Sequence, residues 1–286
     1  MSTPRLLLCT DMDRTVVPNG AAPEDPRARP RLAALCARPE VQLAYVTGRH
    51  AALTQEAIRD YDRPAPDWAI TDVGSKLYRC ETRPWMDCTD WSAEIGRDWR
   101  GQSHAEVVRL LAGLPDLELQ PPERQGEFKV SFFTSPDANA DALRAAVHAR
   151  LQPSGVEASL VWSVDEAAGM GLFDVLPRRA TKRHAVEFLQ RKLGLDDRSV
   201  VFAGDSGNDL PVLESAVQSV LVANASDEIK RTAQARAEQL GHADRLYIAC
   251  GAGLGMNGNY AAGVLEGVWH FAPAFQPALS TTEDQK

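Results

Sequence analysis

Residues 6–15 read Leu6-Leu7-Leu8-Cys9-Thr10-Asp11-Met12-Asp13-Arg14-Thr15, an unbroken apolar run that stops on two carboxylates. A short apolar run without alternation is the pattern of a strand buried on both faces, as in a parallel sheet sandwiched between helices. The pattern recurs at residues 41–46, which lead into Thr47-Gly48-Arg49, and at 67–71, which lead into Asp72-Val73-Gly74. It returns at 200–203, ahead of Gly204-Asp205, and at 220–222, ahead of Ala223-Asn224. Helix-sized stretches separate these runs, so the sequence predicts an α/β fold with a doubly wound, Rossmann-like parallel sheet as its core.

Between about residues 82 and 174 the pattern changes. Residues 127–133 and 156–162 alternate polar and apolar, as half-buried strands do, and Leu143, Val147 and Leu151 recur between them at helical spacing. Ser135 and Pro136 are read as the N-cap and first-turn proline of that helix. The expectation is an α+β cap domain, residues 83–174, inserted into a catalytic core formed by 1–82 and 175–286. Trp85, Trp91 and Trp99 read as cap packing, with a sugar platform as the alternative. Residues 18–30 read as a surface connection and 273–286 as a loose polar tail.

The chain has 286 residues, is 44% hydrophobic and carries a formal net charge of -8 with no dense Lys/Arg run, which argues against a nucleic-acid partner. Its five cysteines include no C-x-x-C pair, the usage of reduced thiols in a cytoplasm, and Cys9 and Cys250 are read as buried and inert. No targeting segment and no membrane-length apolar stretch is visible, so a soluble cytoplasmic protein is expected. The six histidines show no ligand spacing.

In a doubly wound sheet, ligands bind at the carboxyl ends of the strands. Here those ends gather the parts that phosphate-ester hydrolysis needs. Asp11, where the first run stops, suits a carboxylate nucleophile, which splits hydrolysis into two steps through an acyl phosphate. Asp13, two residues on, can protonate the leaving oxygen and then activate water. Asp11, Asp13, Asp205 and Asp209 offer hard oxygen ligands, which points to Mg²⁺ as cofactor. The Thr47 hydroxyl and the Gly48 and Arg49 amides can face phosphoryl oxygens. Lys182 follows Thr181, a fitting N-cap, and opens a run with Val186, Leu189 and Leu193 at helical spacing and Gly194 at its close; its ammonium would screen Asp11 from an incoming phosphate.

These motifs, Asp11-x-Asp13-x-Thr15, Thr47, Lys182 and Gly204-Asp205-x-x-Asn208-Asp209, resemble those of the haloacid dehalogenase superfamily of phosphohydrolases. The stretches at 44–49, 71–75, 128–132, 174–177, 204–209 and 263–271 are most similar to the sucrose-phosphate phosphatases. The resemblance implies an aspartyl-phosphate mechanism on a phosphorylated sugar, sucrose 6-phosphate first, with Asn208 joining Thr47, Gly48 and Lys182 around the phosphate. It also implies an α/β cap that contacts the sugar, for which Arg49 and Lys129 are the candidates, and leaves room for association with a sugar-phosphate synthase. Two departures stand out. Arg14 occupies a position where the family carries Gly or Asn, residues that tolerate positive φ. The segment 167–171 lacks the lysine expected of sucrose-phosphate phosphatases, which opens mannosylfructose phosphate or glucosylglycerol phosphate as alternative substrates. A phosphosugar-binding partner of a synthase without catalysis, and a phosphomutase, are the other readings of the same motifs.

Overall fold

The computed structural model describes residues 5–165 and 168–279; Ala167 of the segment noted above and residues 280–286 of the tail lie outside the described residues. The chain forms two compact units, one running up to Asp87 and resuming at Lys182, the other spanning Cys88–Thr181.

The first unit opens with β1 (Leu6–Thr10), β2 (Val41–Val46), β3 (Trp68–Thr71), β4 (Lys76–Arg79) and β5 (Met86–Asp87). The inserted unit contributes β6 (Glu118–Leu119), β7 (Val130–Thr134), β8 (Ala158–Asp165) and β9 (Met170–Pro177). The first unit then resumes with β10 (Val200–Gly204), β11 (Gln218–Leu221) and β12 (Leu246–Ile248). Its sheet has the order β12-β11-β10-β1-β2-β3-β4-β5, parallel from β12 to β3 and antiparallel across β4 and β5.

Strand β1 sits between β2 and β10, with all five residues buried. Leu6 and Leu8 join a core cluster with Leu32 and Leu35 of the helix Ala28–Cys36 and Val264, Leu265 and Val268 of the helix Ala261–Phe271. Leu7 and Cys9 alternate to the opposite face and are equally buried. Coverage on both faces is why the run carries no polar alternation.

In the second unit the four strands run antiparallel in the order β6-β7-β9-β8. Val130, Phe132, Phe173 and Val175 pack with Val107 and Leu111 of the helix His104–Leu111 and with Leu143, Val147 and Leu151 of the helix Ala140–Leu151. Trp91 and Trp99 are buried in this unit, Trp99 edge-on to Phe128 at 5.5 Å, which is packing and not a platform.

Four expectations change. Strand β5 pairs with β4, so the first crossing falls at residue 87 rather than 82 and Trp85 belongs to the first unit, against Tyr78; β9 runs on to Pro177, and the second crossing moves to 181. The helix expected from Ser135 begins at Ala140, capped by Asn139 Oδ1, which accepts from the Ala142 amide at 3.1 Å. Ser135 and Pro136 instead form a turn closed by Ala138 N donating to Ser135 O. Cys250 is exposed, just past the end of β12, whereas Cys9 is buried and burial pushes its thiol pKa far up.

Candidate active site

The carboxyl ends of β1, β2, β3 and β10 carry the polar loops, as the switch-point rule requires. Asp11 follows β1 and is 4% exposed. Its amide donates to Ala203 O of β10 at 2.8 Å, which pins the backbone to the neighbouring strand.

Lys182 is the first residue of the helix Lys182–Leu193 and is buried. That helix ends where Gly194 adopts φ +63°, with Leu195 N bonded back to Gln190 O at 3.1 Å, a glycine-based cap. The Lys182 ammonium donates to Asp11 Oδ1 at 2.9 Å, Asp209 Oδ1 at 2.8 Å and Asn208 Oδ1 at 3.2 Å. Burial alone would lower the lysine pKa, but the two carboxylates override it and raise it. Burial lifts the Asp11 carboxyl to about 7, opposed by Lys182 and reinforced by Asp209 and Asp205.

The loop after β10 is built around Asp209. Its Oδ2 accepts from the Asp205 and Ser206 amides at 3.1 and 3.2 Å and from the Ser206 hydroxyl at 3.3 Å. A Cβ on Gly204 would lie 2.6 Å from Asp209 Cγ, so only glycine lets the strand end and this side chain coexist. With Oδ1 on Lys182 and Oδ2 on three donors, Asp209 is spent on holding the loop.

Asp11, Asp205 and Asp209 bring ligand oxygens within 4.8 Å of one another. Asp205 Oδ2 is buried without a hydrogen-bond donor among the described residues, although Arg14 Nε lies 3.0 Å away as an ion pair outside hydrogen-bond geometry. Burial, then Asp209, raise the Asp205 carboxyl to about 6 against Arg14 and Lys182. Buried carboxylate oxygens this close together, one of them without a donor among the described residues, fit a hard divalent cation such as Mg²⁺.

Asp13 stands outside this cluster, a correction to the expected four-carboxylate set. Arg49 grips it through Nε and Nη2 at 2.8 and 2.6 Å, and Asn19 Nδ2 donates to Oδ1 at 2.7 Å. Burial pushes the Asp13 pKa up, but these bonds outweigh it and hold the carboxyl below its usual value.

The Thr47-Gly48-Arg49 loop is clasped by the residues after β3: Asp72 N donates to Arg49 O at 3.0 Å and Val73 N to Thr47 O at 3.3 Å. Asp72 and Val73 have φ of +51° and +61°, costly for non-glycine residues and worst for a β-branched one. Thr47 is buried, and its Oγ1 accepts from Arg49 N at 3.1 Å, leaving the hydroxyl proton to donate elsewhere. Gly48 is exposed. Lys129 lies in the second unit, half-buried, in a two-way backbone bridge with Gly126 ahead of β7 rather than within the expected strand.

Arg14 stood out in the sequence only as a departure, and two further residues, Asn224 and Glu266, were missed. Arg14 has φ +57°, the conformation that Gly or Asn would adopt more easily, at a cost of about 1–2 kcal/mol for an L-residue. Asn224 holds it there, donating to Arg14 O at 2.7 Å and accepting from Tyr260 N at 2.7 Å. Asn224 ends the run 220–222 at a carboxyl edge, a position that could have flagged it. Glu266, buried in the helix Ala261–Phe271, gathers the amides of Cys250, Gly251 and Ala252 and the Tyr247 hydroxyl.

A protein of Nitrosococcus oceani described only as a HAD-like hydrolase is 46% identical over 281 residues, 98% of this chain and 76% of that protein. A mannosylfructose-phosphate phosphatase of Agrobacterium fabrum is 30% identical, over 94% of this chain and 97% of its own. The chain spans between 52% and 60% of the length of three plant sucrose-phosphatases it matches. The sucrose-phosphatase of Synechocystis sp. PCC6803, solved with sucrose and phosphate, superposes with a TM-score of 0.71 at 26% identity, over 94% of this chain and 98% of that one. No helix among the described residues is long and apolar enough to cross a membrane. The family model for sucrose-6F-phosphate phosphohydrolase matches residues 4–272, nearly the whole chain, and the chain therefore belongs to that family of haloacid dehalogenase-type phosphatases.

Proposed function

We propose that this protein hydrolyses a phosphorylated disaccharide, sucrose 6-phosphate first, with Mg²⁺ and an aspartyl-phosphate on Asp11. The observation that carries the reading is the buried Asp11 carboxylate, with Oδ1 held by Lys182 at 2.9 Å and no donor to Oδ2 among the described residues. One oxygen is thereby oriented and the other left free to attack phosphorus.

In the first step Asp11 Oδ2 bonds to phosphorus, the bond from phosphorus to the sugar oxygen breaks, and that oxygen takes a proton from Asp13. In the second, a water oxygen attacks phosphorus, its proton passes to Asp13, and Asp11 is released. Asp13 has to carry a proton for the first step, whereas its pairing with Arg49 favours the ionised form. Arg49 must therefore let go, and a substrate phosphate is the natural competitor for its guanidinium. Lys182, on giving up its bond to Asn208, and the Thr47 hydroxyl would donate to phosphoryl oxygens. Asp205, together with the Asp11 oxygen that does not attack, would hold Mg²⁺, which would supply positive charge to the phosphoryl group and draw down the raised pKa of Asp11.

Discrimination between sugars is assigned to the inserted unit, with Lys129 as the residue to test. A mannosylfructose phosphate is the second substrate to examine, supported by the Agrobacterium relative that matches over 97% of its length. The deciding measurement is phosphate release from a panel of phosphorylated sugars with Mg²⁺. Robust turnover of p-nitrophenyl phosphate but of no disaccharide phosphate would remove the sugar assignment. No turnover of any ester would remove the phosphatase.

A further inference from the structure

We propose that Arg14 sets the affinity of the carboxylate cluster for its divalent cation, acting as a resident positive charge on Asp205 with which the ion must compete. This rests on reading Asp11 and Asp205 as a cation site. The Arg14 backbone is locked by three bonds: its amide donates to Val17 O and Asn19 Oδ1, both at 2.9 Å, and its carbonyl accepts from Asn224 at 2.7 Å. Left-handed backbone disfavours arginine, so the local structure is held together in a way that fixes where this side chain starts. Its stem runs beside Gly20, where an added Cβ would meet Arg14 Cγ at 3.5 Å. The guanidinium Nε then reaches 3.0 Å from Asp205 Oδ2.

The pair is lopsided. The arginine side chain is 51% exposed and the aspartate side chain 2%. The guanidinium can therefore turn into water at little cost, while the buried carboxylate oxygen cannot and must be met by some cation. The contact also lacks hydrogen-bond geometry, so it is held by charge and not by direction. A divalent ion reaching Asp205 Oδ2 displaces Arg14 or shares the oxygen with it, and in both cases its binding is weaker than at the same carboxylates without the arginine. A family member with Gly or Asn at this position lacks that competitor, so this chain should need more Mg²⁺ to fill its site.

The test is calorimetric titration of Mg²⁺ into the full chain at fixed ionic strength, without substrate. Arg14→Gln removes the charge and keeps an unfavourable left-handed residue; Arg14→Asn removes the charge and eases the backbone; Arg14→Lys keeps the charge. Both neutral variants should bind Mg²⁺ about fivefold more tightly than wild type, the scale of a half-exposed ion pair, and Arg14→Lys should stay within about twofold of wild type. A gain in Arg14→Asn alone would show a backbone effect and overturn the proposal, as would unchanged or weaker binding in both. Absence of Mg²⁺ binding by every form, wild type included, would overturn the cation site and this inference with it.

Discussion

Replacing Lys182 by Met keeps the length of the side chain and removes its charge from between Asp11 and Asp209. The lysine makes contacts of 2.9 and 2.8 Å to two carboxylates that are 4% and 0% exposed. Each such charged hydrogen bond is worth about 1.5–3 kcal/mol, and stripping one partner from a buried pair costs about 3–5 kcal/mol, because the abandoned charge stays buried. For a unit of this size, each kcal/mol moves the melting temperature by about 2–4 °C. Lys182→Met should therefore melt about 6–20 °C below wild type in EDTA at pH 7.5. The deficit should shrink towards pH 5.5, since burial already lifts Asp11 to about 7 with the lysine present and loss of the lysine lifts it further, so the orphaned carboxyl protonates. Adding Asp209→Asn should recover part of the loss. Thermal melts followed by tryptophan fluorescence suffice. A shift under about 3 °C, or one that grows on acidification, would mean that Lys182 does not neutralise these carboxylates.

Asp11→Asn should abolish phosphate release while leaving the circular dichroism spectrum unchanged; more than a few per cent residual activity, with deamidation excluded by mass spectrometry, refutes the aspartyl-phosphate. Asp205 is raised to about 6 by burial first and Asp209 second, so its ionised form burdens the fold above that pH, and the burden lifts as pH falls through 6. In EDTA, Asp205→Asn should thus be more stable than wild type at pH 7.5, by up to about 3 kcal/mol, with the gap narrowing by pH 5; urea midpoints showing a constant or widening gap contradict this. Lys129→Ala should lower kcat/KM for the sugar phosphate by about 1–3 kcal/mol and leave p-nitrophenyl phosphate unaffected, and equal effects on both substrates remove its assignment to the sugar.

The central strands were legible because both their faces are covered, which writes an unbroken apolar run into the sequence at 6–10, 41–46 and 200–204. Strands β5 and β12, two and three residues long, carry too few positions to show any period, and with β5 went the placement of Trp85. Ser135-Pro136 carried the chemistry of a helix start and made a turn, because Asn139 offered a cap closer to the apolar positions. Asp11, Lys182, Asp205 and Asp209 lie together as the sequence suggested, because each sits in a loop or first turn at the edge of a strand or helix. The Arg49 grip on Asp13 and the Asn224 bond to Arg14 span 36 and 210 residues, and no local spacing records a partner so distant. The positive φ at Arg14 was foreshadowed only by the resemblance, which implies Gly or Asn there.

The place of β1 between β2 and β10 bears on how the protein is made. Translation delivers β2 soon after β1, but about 150 residues, the whole inserted unit among them, must follow before Val200 can pair with Leu7. At about 5–20 residues per second this leaves one edge of β1 without its partner for roughly 8–30 s. That edge belongs to Leu6-Leu7-Leu8-Cys9, a template for pairing with other nascent chains. The segment that leads into Asp11 therefore leaves the ribosome long before its second edge is protected, and it is where a chaperone would be needed.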